Sequence, residues 1–262
     1  MSETLLHTRI QGEGEPVVVL HGLFGSGTNW NRIARDLATD HQVVVMDLHN
    51  HGQSPHVDTM AYPDMAAAVA DTLDHYGIPP GTVIGHSMGG KVAMALALTH
   101  PEYVRRLLVA DIAPIRYGDH GHGRLLRALQ RMDPQRLGSR AAASEALADD
   151  IPEAGLRQFL LTNLESRDGA FAWRIPLQAL EANLPVIADF PAMDGHYDGP
   201  TLFLHGANSD YVPESAHAAI HALFPAAGIE SLPDAGHWLH AEQPRAFLER
   251  TRRFLEEGRT AA

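Results

Sequence analysis

Ser87 stands in Gly85-His86-Ser87-Met88-Gly89, a G-x-S-x-G pattern between the apolar run "TVIG" and the helical pattern "GKVAMALAL". A serine at a sharp strand-to-helix turn presents its hydroxyl as a nucleophile, and small residues two positions to either side let the tight backbone pack. The N–H of Met88, at the positive end of the following helix, would face the oxyanion formed when Ser87 attacks an acyl carbon. His237, in "DAGHWLHAEQP", lies late in the chain, where the order serine, acid, histidine places a general base. Upstream, "VVVLHGLFGSG" closes a strand with His21-Gly22, which makes Leu23 the candidate second oxyanion donor, with Phe24 its neighbour. The chemistry is acyl transfer to water. Ser87 would attack an ester or thioester carbonyl while His237 takes its proton.

Other chemistries fit less well. Gly85 to Lys91 also matches G-x-x-x-x-G-K, but Val92 stands where a phosphate loop needs Ser or Thr for its magnesium ion. Gly25-Ser26-Gly27 lacks the third glycine of a dinucleotide fingerprint. His49-x-His51 and His120-x-His122 have metal-ligand spacing without a third ligand, so both pairs read as surface or loop histidines. No cofactor and no metal site are expected.

The triad acid has two candidates. The customary position, G-x-x-D after the strand "TLFLHG", is occupied here by Ser209, and Asp210 comes one residue late. A shift of one residue at a strand end turns a side chain to the other face. Asp111 instead ends the run "RRLLVAD". The two strands should be sheet neighbours, about 4.8 Å apart, so either carboxylate could reach a shared histidine.

These residues need a scaffold, and the chain alternates strand and helix around them. "PVVVLHG", "HQVVVMDLH", "TVIGH", "VRRLLVAD" and "PTLFLHG" are apolar runs of buried-strand type, with helical patterns between several of them. That alternation predicts a mainly parallel sheet in an α/β fold. From about Ala113 to Gly199 four amphipathic helical pieces follow one another without a convincing strand. The organisation read from this is a core of residues 1–112 and 200–262 with a helical cap, residues 113–199, inserted.

Composition fits one such core. The 262 residues are 45% hydrophobic and 20% charged, ordinary values for a globular protein. Twenty Lys and Arg against 32 Asp and Glu leave a formal charge of −12, which opposes nucleic acid as a partner. Without cysteine there is no disulfide, thiolate metal site or cysteine nucleophile. No apolar run approaches the ~20 residues of a membrane span, and "MSETLLHTRI" is not a leader pattern, so a cytoplasmic location is expected.

Together, "HGLFGSGTNW", "DLHNHGQSP", "GHSMGGKVAMALA", "LLVADIAP" and "AGHWLHAEQP" resemble the α/β-hydrolase superfamily nearly end to end, more narrowly its YbfF-type and ABHD11-like esterases. The resemblance implies an eight-stranded, mainly parallel sheet and carboxylesterase activity on small acyl esters. Acyl-CoA thioesterase, C–C hydrolase and perhydrolase chemistry are alternatives within the superfamily, and a non-catalytic ligand-binding protein is the contrasting reading. It also implies Asp111 as the acid, because relatives keep the Asp-Ile-Ala/Ser-Pro segment. His49 departs from the pattern, since relatives tend to carry Arg before Asn-His-Gly.

Overall fold

The computed structural model describes residues 5–118, 120–167 and 169–257. Its strands are β1 (Thr8–Gln11), β2 (Glu15–Leu20), β3 (His41–Met46), β4 (Gly81–His86), β5 (Val104–Ala110), β6 (Leu164–Arg167), β7 (Ala170–Trp173), β8 (Thr201–Gly206) and β9 (Ala227–Leu232). Its helices are α1 (Asn31–Leu37), α2 (Tyr62–His75), α3 (Met88–Thr99), α4 (His122–Arg131) and α5 (Arg140–Ala146). They continue with α6 (Ala154–Leu160), α7 (Leu177–Ala188), α8 (His217–Leu223), α9 (Leu239–Glu242) and α10 (Pro244–Glu256).

The main sheet runs β1-β3-β2-β4-β5-β8-β9, with β1 antiparallel to β3 and every other pairing parallel. It has seven strands among the described residues, not the eight expected. Before the turn through Gly12, which has φ +76°, the described residues form one short edge strand, β1.

The central strands form because their residues suit burial on both faces. Val17, Val19, Val43 and Val45 pack toward α1 and α10, while Val18, Val44 and Val83 pack toward α2 and α3. β-branched side chains on a sheet covered by helices on both sides are the usual result. α2 ends where expected. Gly77 takes φ +62°, its N–H donates to Asp74 O and the Ile78 N–H reaches Leu73 O, a Schellman end that turns the chain into β4.

Between β5 and β8 the chain leaves the sheet for the insert. α4, α5, α6 and α7 match the four helical pieces, but the insert also holds a two-stranded antiparallel hairpin, β6 with β7. These strands have four residues each and little buried surface, so no apolar alternation announces them. No helix among the described residues is long and apolar enough to cross a membrane.

Candidate active site

Everything needed for the turn at Ser87 is local. β4 ends at His86, α3 begins at Met88, and Ser87 between them takes φ 52°, ψ −120°, a left-handed conformation that an L-residue adopts only under constraint. Glycine is required on both sides. A Cβ on Gly85 would lie 2.2 Å from Gly89 O, and one on Gly89 would lie 2.4 Å from His21 O. The Ser87 N–H is tied to Ala110 O at 3.0 Å, which fixes the turn to the end of β5.

β5 ends at Ala110, so the next residue, Asp111, leaves the sheet beside Ser87. It too has positive φ, 53°, and it is fully buried. Its carboxylate is fixed by three donors. Oδ1 accepts the Gly206 N–H at 2.9 Å; Oδ2 accepts the Ser209 hydroxyl at 2.5 Å and His237 Nδ1–H at 2.7 Å. With its Nδ1 proton given to Asp111, His237 presents Nε2 as an acceptor, 3.1 Å from Ser87 Oγ. Ser87, His237 and Asp111 are thus one connected line. Asp210 is exposed and takes no part in it. The customary acid position is occupied by Ser209, which donates its hydroxyl to the Asp111 carboxylate.

The loop carrying His237 is clamped from outside. Glu242 accepts the backbone N–H of Gly236 at 2.6 Å and of Trp238 at 3.2 Å. His86 Nε2–H donates to His237 O at 2.8 Å, and burial holds the His86 pKa well below the ordinary imidazole value, so it stays neutral beside His237. Tyr211 stacks on the His237 ring at 3.9 Å, and its carbonyl accepts the Tyr117 hydroxyl at 2.6 Å. Ser209, Tyr211, Glu242 and His86 carry no motif of their own. Only the one-residue offset of Asp210 drew attention to Ser209.

Met88 is the first residue of α3, so its N–H is among those a helix leaves unpaired, and it adjoins Ser87. Leu23 N–H has no hydrogen-bond partner among the described residues, whereas Phe24 N–H donates to His51 Nε2 at 3.0 Å. Of the reading of His49 and His51 as surface or loop histidines, the loop half stands and the surface half is corrected: both lie in the loop after β3 but are 7% and 1% exposed, with His51 packed beneath Phe24 N–H. His120 is exposed, and no cluster of three metal-ligating side chains occurs among the described residues.

Lys91, the phosphate-loop candidate, faces no anion site. Its Nζ donates to the carbonyls of Ile187, Ala188 and Asp189 at 3.3, 3.0 and 2.8 Å, and lies 4.7 Å from the Tyr117 ring centre. Desolvation lowers its pKa to about 7. Three carbonyl oxygens at the negative end of α7 are what make a buried lysine tolerable. α3, the helix that follows Ser87, therefore caps α7, the last helix of the insert, through Lys91.

Ser87 lies where two cavities meet. One, about 190 Å³, is bounded by Trp238, Phe159 and Leu156; the other, about 440 Å³, by Leu184, Pro185, Ile187 and Arg127. Both share Leu23 and Tyr211.

The family model described as "alpha/beta hydrolase fold" matches residues 15–244. The chain is 42% identical over 246 residues to sn-1-specific diacylglycerol lipase ABHD11 of Mus musculus, covering 91% of this chain and 80% of that one. It is 38% identical over 247 residues to esterase YbfF of Escherichia coli (strain K12), covering 94% and 95%. A solved structure titled "Marine microorganism esterase" superposes with a TM-score of 0.94 at 39% identity, covering 96% of this chain and all of that one.

Proposed function

This chain belongs to the α/β-hydrolase family and is an esterase-type hydrolase, and on that premise we propose that it cleaves carboxylic esters through an acyl-enzyme on Ser87. The observation that carries the reading is the line Ser87 Oγ, His237 Nε2, His237 Nδ1, Asp111 Oδ2, at 3.1 and 2.7 Å. His237 takes the Ser87 proton as Oγ bonds to the acyl carbon, and the resulting imidazolium is stabilised by Asp111. Leu23 and Met88 N–H groups receive the oxyanion. As the tetrahedral adduct collapses, His237 returns the proton to the leaving alkoxide, and water repeats the cycle on the acyl-enzyme. No step calls for a cofactor.

We read residues 113–199 as a cap over a core of residues 1–112 and 200–262, with the two cavities taking the two sides of the scissile bond. Small acyl esters fit the 190 Å³ cavity. The apolar residues Leu184, Pro185 and Ile187 around the larger cavity, with relatives named as diacylglycerol lipases, support longer lipid esters as a second reading. The test is a panel of p-nitrophenyl esters, acyl-CoAs and diacylglycerols turned over by wild type and by Ser87→Ala. Hydrolysis of oxygen esters lost in Ser87→Ala is expected. Wild-type rates in that variant, or turnover confined to thioesters, would contradict the proposal.

A further inference from the structure

Phe24 is a phenylalanine in a conformation that favours glycine. It has φ 62° and is 2% exposed, in the loop that carries the oxyanion donor Leu23. Its backbone is gripped on both sides. The N–H donates to His51 Nε2 at 3.0 Å, from the core loop after β3, and the carbonyl accepts Asn163 Nδ2–H at 2.7 Å, from the insert.

Both grips are themselves fixed. His51 Nδ1–H donates to His49 O at 2.8 Å, which leaves Nε2 as the acceptor, and burial lowers the His51 pKa to about 3, so the ring keeps that lone pair at neutral pH. Asn163 is 3% exposed, its Nδ2–H donates also to Leu160 O at 3.2 Å, and its backbone carbonyl accepts the Arg174 backbone N–H at 2.8 Å. Below the loop, His21 Nδ1–H and Gly25 N–H both donate to Gly22 O, at 2.8 and 3.0 Å. Of the two neighbouring amides only Leu23 N–H is left for a substrate oxygen. If either grip on Phe24 were lost, the residue could relax toward negative φ, rotating the adjoining peptide units and misdirecting that N–H.

We infer that His51 and Asn163 are positioning residues for the oxyanion hole, so that the insert completes the site by holding Phe24 from outside without touching the reacting atoms. This rests on Ser87 being the nucleophile.

The test is steady-state hydrolysis of p-nitrophenyl acetate, and inhibition by a short alkyl trifluoromethyl ketone, in Asn163→Leu, His51→Ala and His51→Gln, with Ser87→Ala in parallel. Asn163→Leu keeps the side chain's bulk and removes its donor. Loss of a whole oxyanion donor costs roughly 10²- to 10³-fold in kcat, so loss of its positioning should cost about 10- to 100-fold, with KM within about threefold. Affinity for the ketone, whose adduct carries an oxyanion, should fall by a similar factor. His51→Gln, with a side-chain oxygen able to accept Phe24 N–H, should recover most of the His51→Ala loss. A kcat within about threefold of wild type in Asn163→Leu, or a raised KM at unchanged kcat, would overturn the inference, since either leaves transition-state binding intact. Should His51→Ala fail to fold, Asn163→Leu decides alone. If Ser87→Ala is inactive while Asn163→Leu is unimpaired, only this inference fails; if Ser87→Ala is active, the nucleophile assignment fails.

Discussion

At the end of the sheet, Ser87 and Asp111 follow strands whose residues are buried almost without a break, whereas in the insert above them α5 and α6 each bury a single side chain, Ala143 and Leu160. The insert's Leu125, Leu129, Leu160 and Leu180 belong to the same apolar cluster as Val18, Val44 and Val83, and polar side chains also tie it to the core. Asn183 Oδ1 accepts Met60 N–H at 2.9 Å, Tyr62 donates to Ile187 O at 2.7 Å, Asn163 holds Phe24, and Lys91 caps α7. A sheet buried on both faces can hold reacting atoms in fixed relation, because a shift of any strand disturbs packing along its whole length. The polar ties of the insert, unlike that packing, can be altered one at a time. On the proposed mechanism the difference teaches that the reacting groups belong to the sheet, while the insert adds part of the cavity walls and one hold on Phe24.

The comparison would break first at the acid. Asp111→Asn should lower kcat by roughly 10³ to 10⁴ in ester hydrolysis, since a neutral amide neither fixes the imidazole tautomer nor stabilises the imidazolium. A wild-type kcat would mean that the sheet end does not carry the chemistry.

Acid should then find the core before the insert. Burial holds the pKa values of His51 and His240 near 3, each about 3, well below an unfolded imidazole at about 6.5. Between those values the unfolded chain binds protons that the folded one does not. Stability is therefore full above about pH 6.5 and falls as pH drops toward 3, by up to about 2.7 kcal/mol per pH unit from these two groups. Urea midpoints at pH 7, 6 and 5 check this. His51→Gln should remove one histidine's share of the slope, to which buried His21 and His86, also held below the ordinary imidazole value, contribute as well. An unchanged slope in His51→Gln would contradict the contrast.

Two smaller effects sharpen it. Lys91→Met strips three carbonyls of their donor and should cost about 2 kcal/mol, read in urea unfolding, with faster limited proteolysis inside residues 113–199 than in the sheet. Cleavage unchanged there would mean that Lys91 does not fasten the insert. Ser209→Ala removes one hydroxyl donor from the Asp111 carboxylate and should lower kcat about tenfold, with KM little changed. An unaltered kcat would leave Ser209 a structural neighbour only.

Legibility in the sequence followed the same division. The buried strands, the turn at Ser87 and the place of His237 were readable because β-branched runs and the paired glycines have few other uses. The acid was readable only as a choice, since whether Asp111 or Asp210 turns inward depends on the backbone past a strand end, where Asp111 takes φ 53°. β1, β6 and β7 have four residues each and no run of apolar alternation, so periodicity passed over them. His51 is the loop histidine it looked like, but its burial was not legible because a loop's sequence does not tell which side of it is covered. The contacts of Asn163 and Lys91 join residues 139 and about 97 positions away, beyond the reach of any local pattern.

The most direct measurement is covalent labelling with a fluorophosphonate, followed by peptide mapping by mass spectrometry, on wild type, Ser87→Ala, Asp111→Asn and Asp210→Asn. The account predicts one adduct, on Ser87, absent from Ser87→Ala, formed roughly 10³-fold more slowly in Asp111→Asn and at the wild-type rate in Asp210→Asn. An adduct on another residue, or slowing in Asp210→Asn but not in Asp111→Asn, would contradict it.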